Sequence, residues 1–333
     1  MSTQAVIRGL GYYAPPRILT NADLEGMVET SDEWITTRTG IKELHIAEPG
    51  TPLSAMAIEA AKTALDSAGM VPGDLTHIFV ATITPDYPCP STACILEEKL
   101  GLKGLVAMDV NAACSGFLYC LQTARAYVSL DPSAVVLVTA GDVLTSRTNW
   151  TDRNTCVLFG DAMGAAIVTA ADKACPRPAI AAIEDLRLAS DGAWAGVLGM
   201  KGGGSAVPYS LGQVVGEEFF VHMNGQEVFK QAVRSMEAIC HEILDKNGVA
   251  VADIDVLLPH QANLRIIELL GNKLGVPREK VFVNVDRFGN TSAASVGVAL
   301  ADAMAQGVLR PGMRVLVATF GAGFTWGSAL LRF

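Results

Sequence analysis

The order of segments in the first half of the sequence returns in the second half, and this duplication constrains the fold more than any other feature. The apolar strand that begins at His77 is matched by one that begins at Ile254. The small-residue turn at residues 112–116 is matched by residues 289–295. Matching segments lie about 175 to 180 residues apart, which is too long for a solenoid repeat and indicates a duplicated domain.

Strands and helices alternate within each half. Apolar runs of strand length, such as residues 134–140, neighbour stretches with apolar residues at helical spacing, such as residues 117–128. This alternation predicts an α/β fold with mostly parallel sheets covered by helices. We place the halves at residues 1–173 and 174–333, with the link at residues 171–178, which contain two prolines. Reactive side chains are then expected where the carboxyl ends of strands from both halves meet.

Composition and charge exclude several classes of protein. Of the 333 residues, 50% are hydrophobic and 18% are charged, which is typical of a heavily buried α/β protein. The net charge of −9 argues against nucleic acid or an anionic membrane as the main partner. No apolar run approaches the roughly 20 residues of a membrane span, and the first residues lack an export signal, so a cytoplasmic protein is expected. Seven cysteines without metal-ligand spacing predict free thiols and no metal site.

Cys114 lies where a short apolar strand, residues 104–110, meets the predicted helix at residues 117–128. A thiol at a helix N-terminus is expected to have a lowered pKa. The small residues around it give a substrate carbonyl access to the sulfur and leave backbone N–H groups free for an oxyanion. The alternative is a buried structural cysteine, which is the better interpretation of Cys120 one and a half turns further on.

Two side chains of the second half are of the kind that such a thiol requires. His260 follows an apolar strand, and Asn290 stands at the start of the second small-residue turn. Each has a structural alternative, a satisfied core histidine for one and a helix cap for the other. A thiol nucleophile, an imidazole and an amide donor together are the set that acyl transfer needs. The combination favours one shared site.

Four motifs carry a resemblance to a known family: Ala113-Cys114-Ser115-Gly116, Pro259-His260-Gln261-Ala262-Asn263, Gly289-Asn290-Thr291-Ser292-Ala293-Ala294-Ser295 and Phe324-Thr325-Trp326-Gly327-Ser328-Ala329. From Val6 to Phe333 the sequence closely resembles β-ketoacyl-ACP synthase III of the thiolase superfamily. Elongating ketoacyl synthases carry a second histidine where Asn290 stands. Thiolases carry a second cysteine near the C-terminal glycine loop, which here has none. The resemblance implies the thiolase fold, in which two duplicated βαβ-rich halves form a layered αβαβα core.

The resemblance also implies a two-stage reaction without a metal or other cofactor. Cys114 would take an acyl group from acyl-CoA, and malonyl-ACP would then decarboxylate and attack the acyl carbon. The product, a 3-ketoacyl-ACP, would start type II fatty acid synthesis. His260 and Asn290 would donate hydrogen bonds to the malonyl thioester oxygen as enolate charge develops. The N–H groups of Cys114 and Gly323 would form the oxyanion hole for the acyl stage.

Substrate-binding roles follow from the same resemblance. It assigns CoA and pantetheine binding to Trp34, Arg38, Arg153, Phe229, Ala262 and Asn263, with Trp34 and Arg153 on either side of the adenine. It assigns docking of the acidic acyl carrier protein to Lys230, Arg265 and Lys273. It assigns the acyl pocket to Cys89, Leu144, Leu158 and Phe159. Cys89 stands where acetyl-preferring members of the family carry a Phe that reaches across a homodimer, so a homodimer and a roomier pocket are expected.

Three alternative functions stay open at this point. A non-condensing acyltransferase on the same fold would load Cys114 and pass the acyl group to an amine or alcohol, but such relatives usually alter the His and Asn pair. A polyketide-type starter synthase would share the chemistry and differ in its primer. A non-catalytic partner subunit would be expected to have lost the cysteine. The primer's chain length does not follow from the sequence.

Overall fold

The computed structural model of the chain describes residues 3–210, 212 and 214–333, and all statements of the fold refer to these. The strands are β1 (Ala5–Tyr13), β2 (Ile18–Thr20), β3 (Glu43–His45), β4 (His77–Ala81), β5 (Val106–Val110), β6 (Val135–Asp142), β7 (Ala162–Ala170), β8 (Ala181–Ser190), β9 (Leu198–Gly199), β10 (His222–Met223), β11 (Val256–Pro259), β12 (Arg314–Gly321) and β13 (Thr325–Arg332). The helices are α1 (Asn21–Glu25), α2 (Asp32–Thr39), α3 (Leu53–Ala68), α4 (Thr92–Lys99), α5 (Gly116–Leu130), α6 (Gly225–Asn247), α7 (Leu264–Leu274), α8 (Val285–Phe288) and α9 (Ser295–Ala305). None of these helices is both long and apolar enough to cross a membrane.

The strand order shows the duplication directly. Nine strands form one sheet in the order β11-β12-β13-β8-β1-β7-β6-β4-β5. The two halves join at its middle, where β1 and β8 pair over a short stretch. On either side the pattern is the same: β7 and β13 are antiparallel to both of their neighbours, and β6 with β4 and β12 with β11 are parallel pairs. The predicted α/β fold of two duplicated halves is confirmed, while the boundary at residues 173 and 174 stays a prediction.

The expectation of mostly parallel sheets is wrong, because antiparallel pairs dominate the middle of the sheet. The connection between β12 and β13 shows the physical reason. Only residues 322–324 join these strands. A parallel pair needs a crossover of a dozen or more residues, so this short connection forces an antiparallel hairpin.

Three apolar cores separate five layers. In β6, Val136 faces a central core that contains α5 and α9, while the adjacent Leu137 faces an outer core beneath α3 and α4. In β12, Val315 faces the same central core, and Leu316 faces the core beneath α6 and α7. Helices therefore cover both outer faces and also fill the space between the two halves of the sheet. This is the predicted αβαβα arrangement.

The duplication predicts that the apolar segment at residues 281–285 forms a strand, as the equivalent of the strand before Cys114. This strand is not formed. Val281 alone bridges β11, and α8 begins four residues later. The buried side chain of Gln261 explains this difference. Its amide nitrogen donates to the Phe282 carbonyl, and its oxygen accepts from the Asn284 N–H. The side chain thus satisfies the backbone groups that a strand ladder would have paired.

Each central helix starts with the same kind of turn. A one-turn 3₁₀ helix at Ala113–Ser115 precedes α5, and another at Ser292–Ala294 precedes α9. The first residue of each turn has a positive φ, 45° at Ala113 and 51° at Ser292, which is uncommon for residues other than glycine. The turns pack against each other. The fold therefore brings the two motif turns of the sequence together between the halves.

Candidate active site

A cavity of about 510 Å³ opens beside the two turns. Cys114, His260 and Asn290 all line it. Cys114 comes from the first half, and the other two come from the second half. The structure therefore brings together the three side chains that the sequence suggested for one site, as expected for groups that follow strand ends in a duplicated α/β fold.

Cys114 is the middle residue of the first turn, directly before α5. Its side chain is partly buried, and its Sγ lies 3.4 Å from the Oγ of Ser292. Burial raises the pKa of the Cys114 thiol to about 12, a shift that the Ser292 hydrogen bond opposes and the Asp142 charge reinforces. The expectation of a lowered pKa is therefore wrong, because desolvation outweighs the helix N-terminus. In the resting site the thiol is protonated at neutral pH.

The other six cysteines lie outside the cavity wall. Three are fully buried, and burial raises the pKa of each thiol: Cys120, Cys156 and Cys240. Cys120 belongs to the central core, which confirms its structural interpretation. Cys89 and Cys94 are exposed and Cys175 is partly exposed. The thiol that faces the cavity is thus that of Cys114.

His260 directly follows β11, and its backbone N–H donates to the Ala318 carbonyl at 2.7 Å. The residue is 3% exposed, and its buried Nδ1 has no hydrogen-bond partner among the described residues. Burial lowers the pKa of the imidazole to about 4, so the ring is neutral at pH 7. A neutral imidazole carries one N–H, which makes it a single hydrogen-bond donor at the cavity wall.

The backbone around Asn290 holds its amide in one orientation. Its N–H donates to the Leu158 carbonyl at 2.9 Å, and its carbonyl accepts from the Gly160 N–H at 3.1 Å. The side-chain Oδ1 accepts from the backbone N–H of Ser292 at 3.0 Å. This contact is a local turn interaction and not the helix cap of the structural alternative, because Thr291 and Ala294 occupy the cap positions of the 3₁₀ turn and of α9. Because the oxygen is occupied, the NH₂ group is the part of the amide left to donate.

The C-terminal glycine loop, residues 321–325, is attached to the Cys114 turn by two side chains. The Oγ of Ser115 donates to the Thr325 carbonyl at 3.0 Å. The Oγ1 of Thr325 donates to the Ala112 carbonyl at 2.9 Å. These reciprocal bonds hold the loop and the turn in a fixed relation.

Gly321 shows how closely the loop and the turn approach. A Cβ at this position would lie 2.7 Å from the backbone nitrogen of Cys114, so only glycine fits. Within the described part of the chain, the N–H of Gly323 has no acceptor. The oxyanion hole assigned to Cys114 and Gly323 stays a prediction. The contacts place their two backbone segments side by side.

Four of the residues predicted to bind CoA or pantetheine line the same cavity: Arg38, Phe229, Ala262 and Asn263. The other two lie beside them. The guanidinium carbons of Arg38 and Arg153 lie 4.8 and 5.1 Å from the centroid of the Trp34 ring. Arg153 thus rests directly on the indole, so an adenine can enter between them only if Arg153 moves away.

The residues predicted for docking of the carrier protein lie on the neighbouring helices α6 and α7: Lys230, Arg265 and Lys273. Arg265 is exposed and lines the cavity. Lys230 and Lys273 are exposed but do not line it, and each has a carboxylate at 4.0 Å, from Glu227 and Glu237 respectively. Of these three cations, Arg265 is therefore the one that lies at the cavity.

One end of the cavity is apolar and holds three of the four residues predicted for the acyl pocket, Leu144, Leu158 and Phe159. Further apolar residues complete this wall and escaped the sequence analysis: Ile83, Leu198, Met200 and Val221. They come from loops and short strands whose pattern carries no periodic signal. Cys89 is exposed and does not reach the wall in a single chain. Its role stays a prediction that requires a second copy.

Two polar residues at the site were also missed. Asp142, the last residue of β6, is fully buried and accepts hydrogen bonds from the backbone N–H groups of Ile83 and Ala293. Burial raises the pKa of this carboxyl, and those hydrogen bonds oppose the shift. Ser292 lies between this carboxylate and Cys114. Its place in a motif turn beside Asn290 was the one indication that the sequence offered.

Together, a thiol nucleophile, a neutral imidazole and an oriented amide at one cavity between duplicated halves define an acyl-transferring enzyme of the thiol type. Residues 108–192 match the family model of 3-oxoacyl-[acyl-carrier-protein] synthase III, and residues 244–333 match that of its C-terminal part. Over 333 residues the chain is 56% identical to the beta-ketoacyl-[acyl-carrier-protein] synthase III of Nitratidesulfovibrio vulgaris strain DP4, with all of both chains covered.

Solved structures agree with this result. The crystal structure of 3-oxoacyl-[acyl-carrier-protein] synthase III from Aquifex aeolicus VF5 is 43% identical, with a TM-score of 0.89 over 99% of this chain and 100% of that one. The priming beta-ketosynthase of the R1128 polyketide pathway is 33% identical, with a TM-score of 0.89 over 100% and 97%. The chain therefore belongs to the β-ketoacyl-ACP synthase III family and has the thiolase fold. It is a condensing acyltransferase.

Proposed function

We propose that the chain joins an acyl group from acyl-CoA to malonyl-ACP, with loss of CO₂, to give a 3-ketoacyl-ACP that starts fatty acid synthesis. The observation that carries this proposal is the convergence of Cys114, His260 and Asn290 on one cavity. The cavity is lined both by residues assigned to CoA and, at one end, by a cluster of apolar side chains.

In the first stage Cys114 attacks the thioester carbonyl of acyl-CoA. The sulfur forms a new thioester, and CoA leaves as its thiol with the proton that Cys114 gives up. The tetrahedral oxyanion is held by the backbone N–H groups of Cys114 and Gly323. Support comes from the close approach of Gly321 to the Cys114 nitrogen, which leaves no side chain in that space.

In the second stage malonyl-ACP loses CO₂, and the electron pair of the broken bond forms an enolate on its thioester. His260 and Asn290 donate hydrogen bonds to the enolate oxygen. The neutral ring of His260 and the oriented NH₂ group of Asn290 suit this role. Fixed donors in a site that excludes water stabilise developing charge far more than bulk solvent does. The carbanion then attacks the acyl carbon on Cys114 and forms the new carbon–carbon bond. The thioester bond to Cys114 breaks, the 3-ketoacyl-ACP leaves, and the sulfur takes up a proton from solvent to restore the thiol.

Binding roles follow the same pattern. Trp34 and Arg153 hold the adenine, Arg38 and Asn263 lie beside it, and Phe229 and Ala262 line the pantetheine tunnel. Lys230, Arg265 and Lys273 attract the acidic carrier protein. No step needs a metal or redox cofactor, because only acyl groups, CO₂ and protons move. Seven free cysteines suit a reducing compartment such as the cytoplasm.

We further propose that the enzyme is a homodimer. β5 is the edge strand of the large sheet, and Val106 at its start is 44% exposed. An uncovered edge strand with exposed apolar side chains is a site of strand pairing. The exposed Cys89 lies in the loop before α4, which packs against β5. If two copies pair through β5, the loop that contains Cys89 lies close to the partner copy.

A polyketide-type starter synthase is the second candidate, because the likeness to the priming ketosynthase of the R1128 pathway extends over the whole chain. The two functions share Cys114, His260 and Asn290 and differ in the primer that they accept. Kinetics with a series of acyl-CoA primers therefore distinguish them.

The decisive experiment supplies acyl-CoA primers and carboxyl-labelled malonyl-ACP and follows labelled CO₂ together with the 3-ketoacyl product. We expect both, and we expect intact-mass and peptide mapping with acyl-CoA alone to show one adduct on Cys114. Cys114→Ala should abolish the adduct, while the control Cys94→Ala, at an exposed cysteine, should keep it. An adduct that survives in Cys114→Ala would contradict the assignment.

A further inference from the structure

Ser292 touches both parts of the proposed chemistry. It is fully buried, and its Oγ lies 3.4 Å from the Sγ of Cys114. Its backbone N–H donates to the Oδ1 of Asn290 at 3.0 Å. The hydroxyl therefore contacts the nucleophile, while the backbone orients the amide donor. Substitution of the side chain removes only the first contact.

Asp142 provides the hydroxyl of Ser292 with a second acceptor. Burial raises the pKa of this carboxyl, and hydrogen bonds from groups that include the Ser292 hydroxyl oppose the shift. The carboxylate also accepts from Thr82 Oγ1 and the Ile83 N–H, both at 2.8 Å, and from Ala293 N–H at 3.4 Å. Among the ion pairs of the described residues, none includes Asp142. Ser292 thus stands between the buried Asp142 carboxyl and a sulfur whose charge changes during the reaction.

The backbone conformation at Ser292 does not by itself require a serine. The equivalent turn carries Ala113 at the same position, with a φ of 45° against 51° at Ser292. Both positive values are held by the surrounding structure and not by the side chain. The hydroxyl at Ser292 is therefore free to serve another purpose.

We propose that Ser292 is a positioning residue whose hydroxyl, shared with the Asp142 carboxyl, hydrogen-bonds the Cys114 sulfur and stabilises its thiolate during attack on the primer. This proposal rests on the nucleophilic role of Cys114. The hydroxyl donates to Asp142 while the sulfur is a thiol and turns to the sulfur as the thiolate forms. It returns to Asp142 once the sulfur is acylated. The serine keeps its proton throughout, and the thiol proton leaves with CoA.

The test measures alkylation of Cys114 by iodoacetamide in the full-length protein without any acyl substrate, from pH 6 to pH 9. Below the pKa of the thiol the rate follows the fraction of thiolate. Ser292→Ala should slow the reaction about tenfold and move the rate profile about one pH unit higher, because a hydrogen bond to a charged group is lost. Asp142→Asn should accelerate it, because a nearby negative charge is removed. The other titratable groups of the cavity wall, Arg38, Asp152, His260 and Arg265, are unchanged in both variants.

Ser328→Ala is the matched control. Ser328 is a buried serine whose Oγ lies 3.7 Å from the sulfur of Cys240, away from the cavity. Its loss should leave the Cys114 profile unchanged. Ser292→Gly, which removes the hydroxyl and also relieves the positive φ, is the second test variant in case Ser292→Ala folds poorly.

The outcomes separate this proposal from the proposed function. If Ser292→Ala and Ser292→Gly react at the wild-type rate across the pH range, the hydroxyl does not act on the sulfur and the proposal is overturned. Failure of the proposed function would instead appear in the wild-type protein, as missing CO₂ release from malonyl-ACP.

Discussion

The turns at Ala113–Ser115 and Ser292–Ala294 share a backbone and differ in their chemistry. Each begins with a residue of positive φ and leads into a central helix. The middle residue is Cys114 in one turn and Ala293 in the other. Duplication thus produced two equivalent turns before the central helices. One turn carries the Cys114 thiol, and the other carries Ser292 and follows Asn290.

The strands that end beside the two turns also differ in the residue that each places there. β6 ends at Asp142, whose carboxylate accepts from the N–H of Ala293 in the second turn. β12 ends at Gly321, which lies against the Cys114 nitrogen of the first turn and brings no side chain. A carboxylate beside Cys114 would occupy the N–H groups and repel an oxyanion. What surrounds each turn, more than the turn itself, therefore decides whether it can bind a developing negative charge.

The largest effect is expected from substitutions in the second half. His260→Ala and Asn290→Ala should slow decarboxylation of malonyl-ACP by about 100- to 1000-fold each, the usual loss for one oxyanion donor. Acylation of Cys114 should persist, because that stage relies on the first turn. Both rates can be measured on the same variants with labelled malonyl-ACP and acyl-CoA. Normal decarboxylation in both variants would assign the enolate to other residues.

The next effect concerns stability and pH. His260 follows β11 where Thr82 follows β4, so this buried imidazole belongs to the second half alone. Its pKa is about 4 in the folded chain and about 6.5 when unfolded. Between these pH values the His260 imidazole is protonated in the unfolded chain and neutral in the native chain. Stability should therefore fall by about 3 kcal/mol as the pH drops through that range.

Urea unfolding at a series of pH values from 4 to 8 measures this contribution. His260→Asn should flatten the acid side of the stability profile, whereas the control His241→Asn, at an exposed histidine, should not. An unchanged slope in His260→Asn would show that other groups cause the acid sensitivity.

Gly321→Ala tests whether the space beside the Cys114 nitrogen must stay free of side chains. A Cβ there would lie 2.7 Å from the Cys114 nitrogen, so the turn must shift and the proposed oxyanion site must distort. We expect acylation of Cys114 to slow about 100-fold, comparable to the loss of one donor. Gly192→Ala is the control, because a Cβ at that position meets nothing within 4 Å. Acylation of Gly321→Ala at the wild-type rate would show that the absence of a side chain at the end of β12 does not matter for the oxyanion site.

The smallest effect is expected at the acyl pocket. Each buried methylene contributes about 0.8 kcal/mol, so two or three added carbons shift primer preference roughly ten- to fifty-fold if the space at Cys89 is open. Cys89→Phe should therefore lower kcat/KM for octanoyl- and butyryl-CoA relative to kcat/KM for acetyl-CoA. The same change at exposed Cys94 serves as the control. The idea fails if the wild type strongly prefers acetyl-CoA and Cys89→Phe leaves the ranking as it was.

Local elements could be predicted because their patterns are local. The periodicity over residues 117–128 indicated α5, which extends from Gly116 to Leu130, and the small residues around Cys114 indicated the turn before it. The strand expected at residues 281–285 does not form, because the side chain of Gln261 hydrogen-bonds to the backbone of that segment. Gln261 is distant from the segment in sequence. The pattern of apolar residues carries no information about a hydrogen bond from such a distant side chain.

By itself the sequence determined the duplication, the α/β class and the identity of Cys114, His260 and Asn290, because repeats, periodicities and motifs are properties of residue order. Tertiary structure alone decided the antiparallel centre of the sheet and the loops that complete the acyl pocket. It also decided the protonation states, since burial moves the pKa of the Cys114 thiol up to about 12 and that of His260 down to about 4. Desolvation depends on every atom packed around a group, and that packing exists only once the chain has folded.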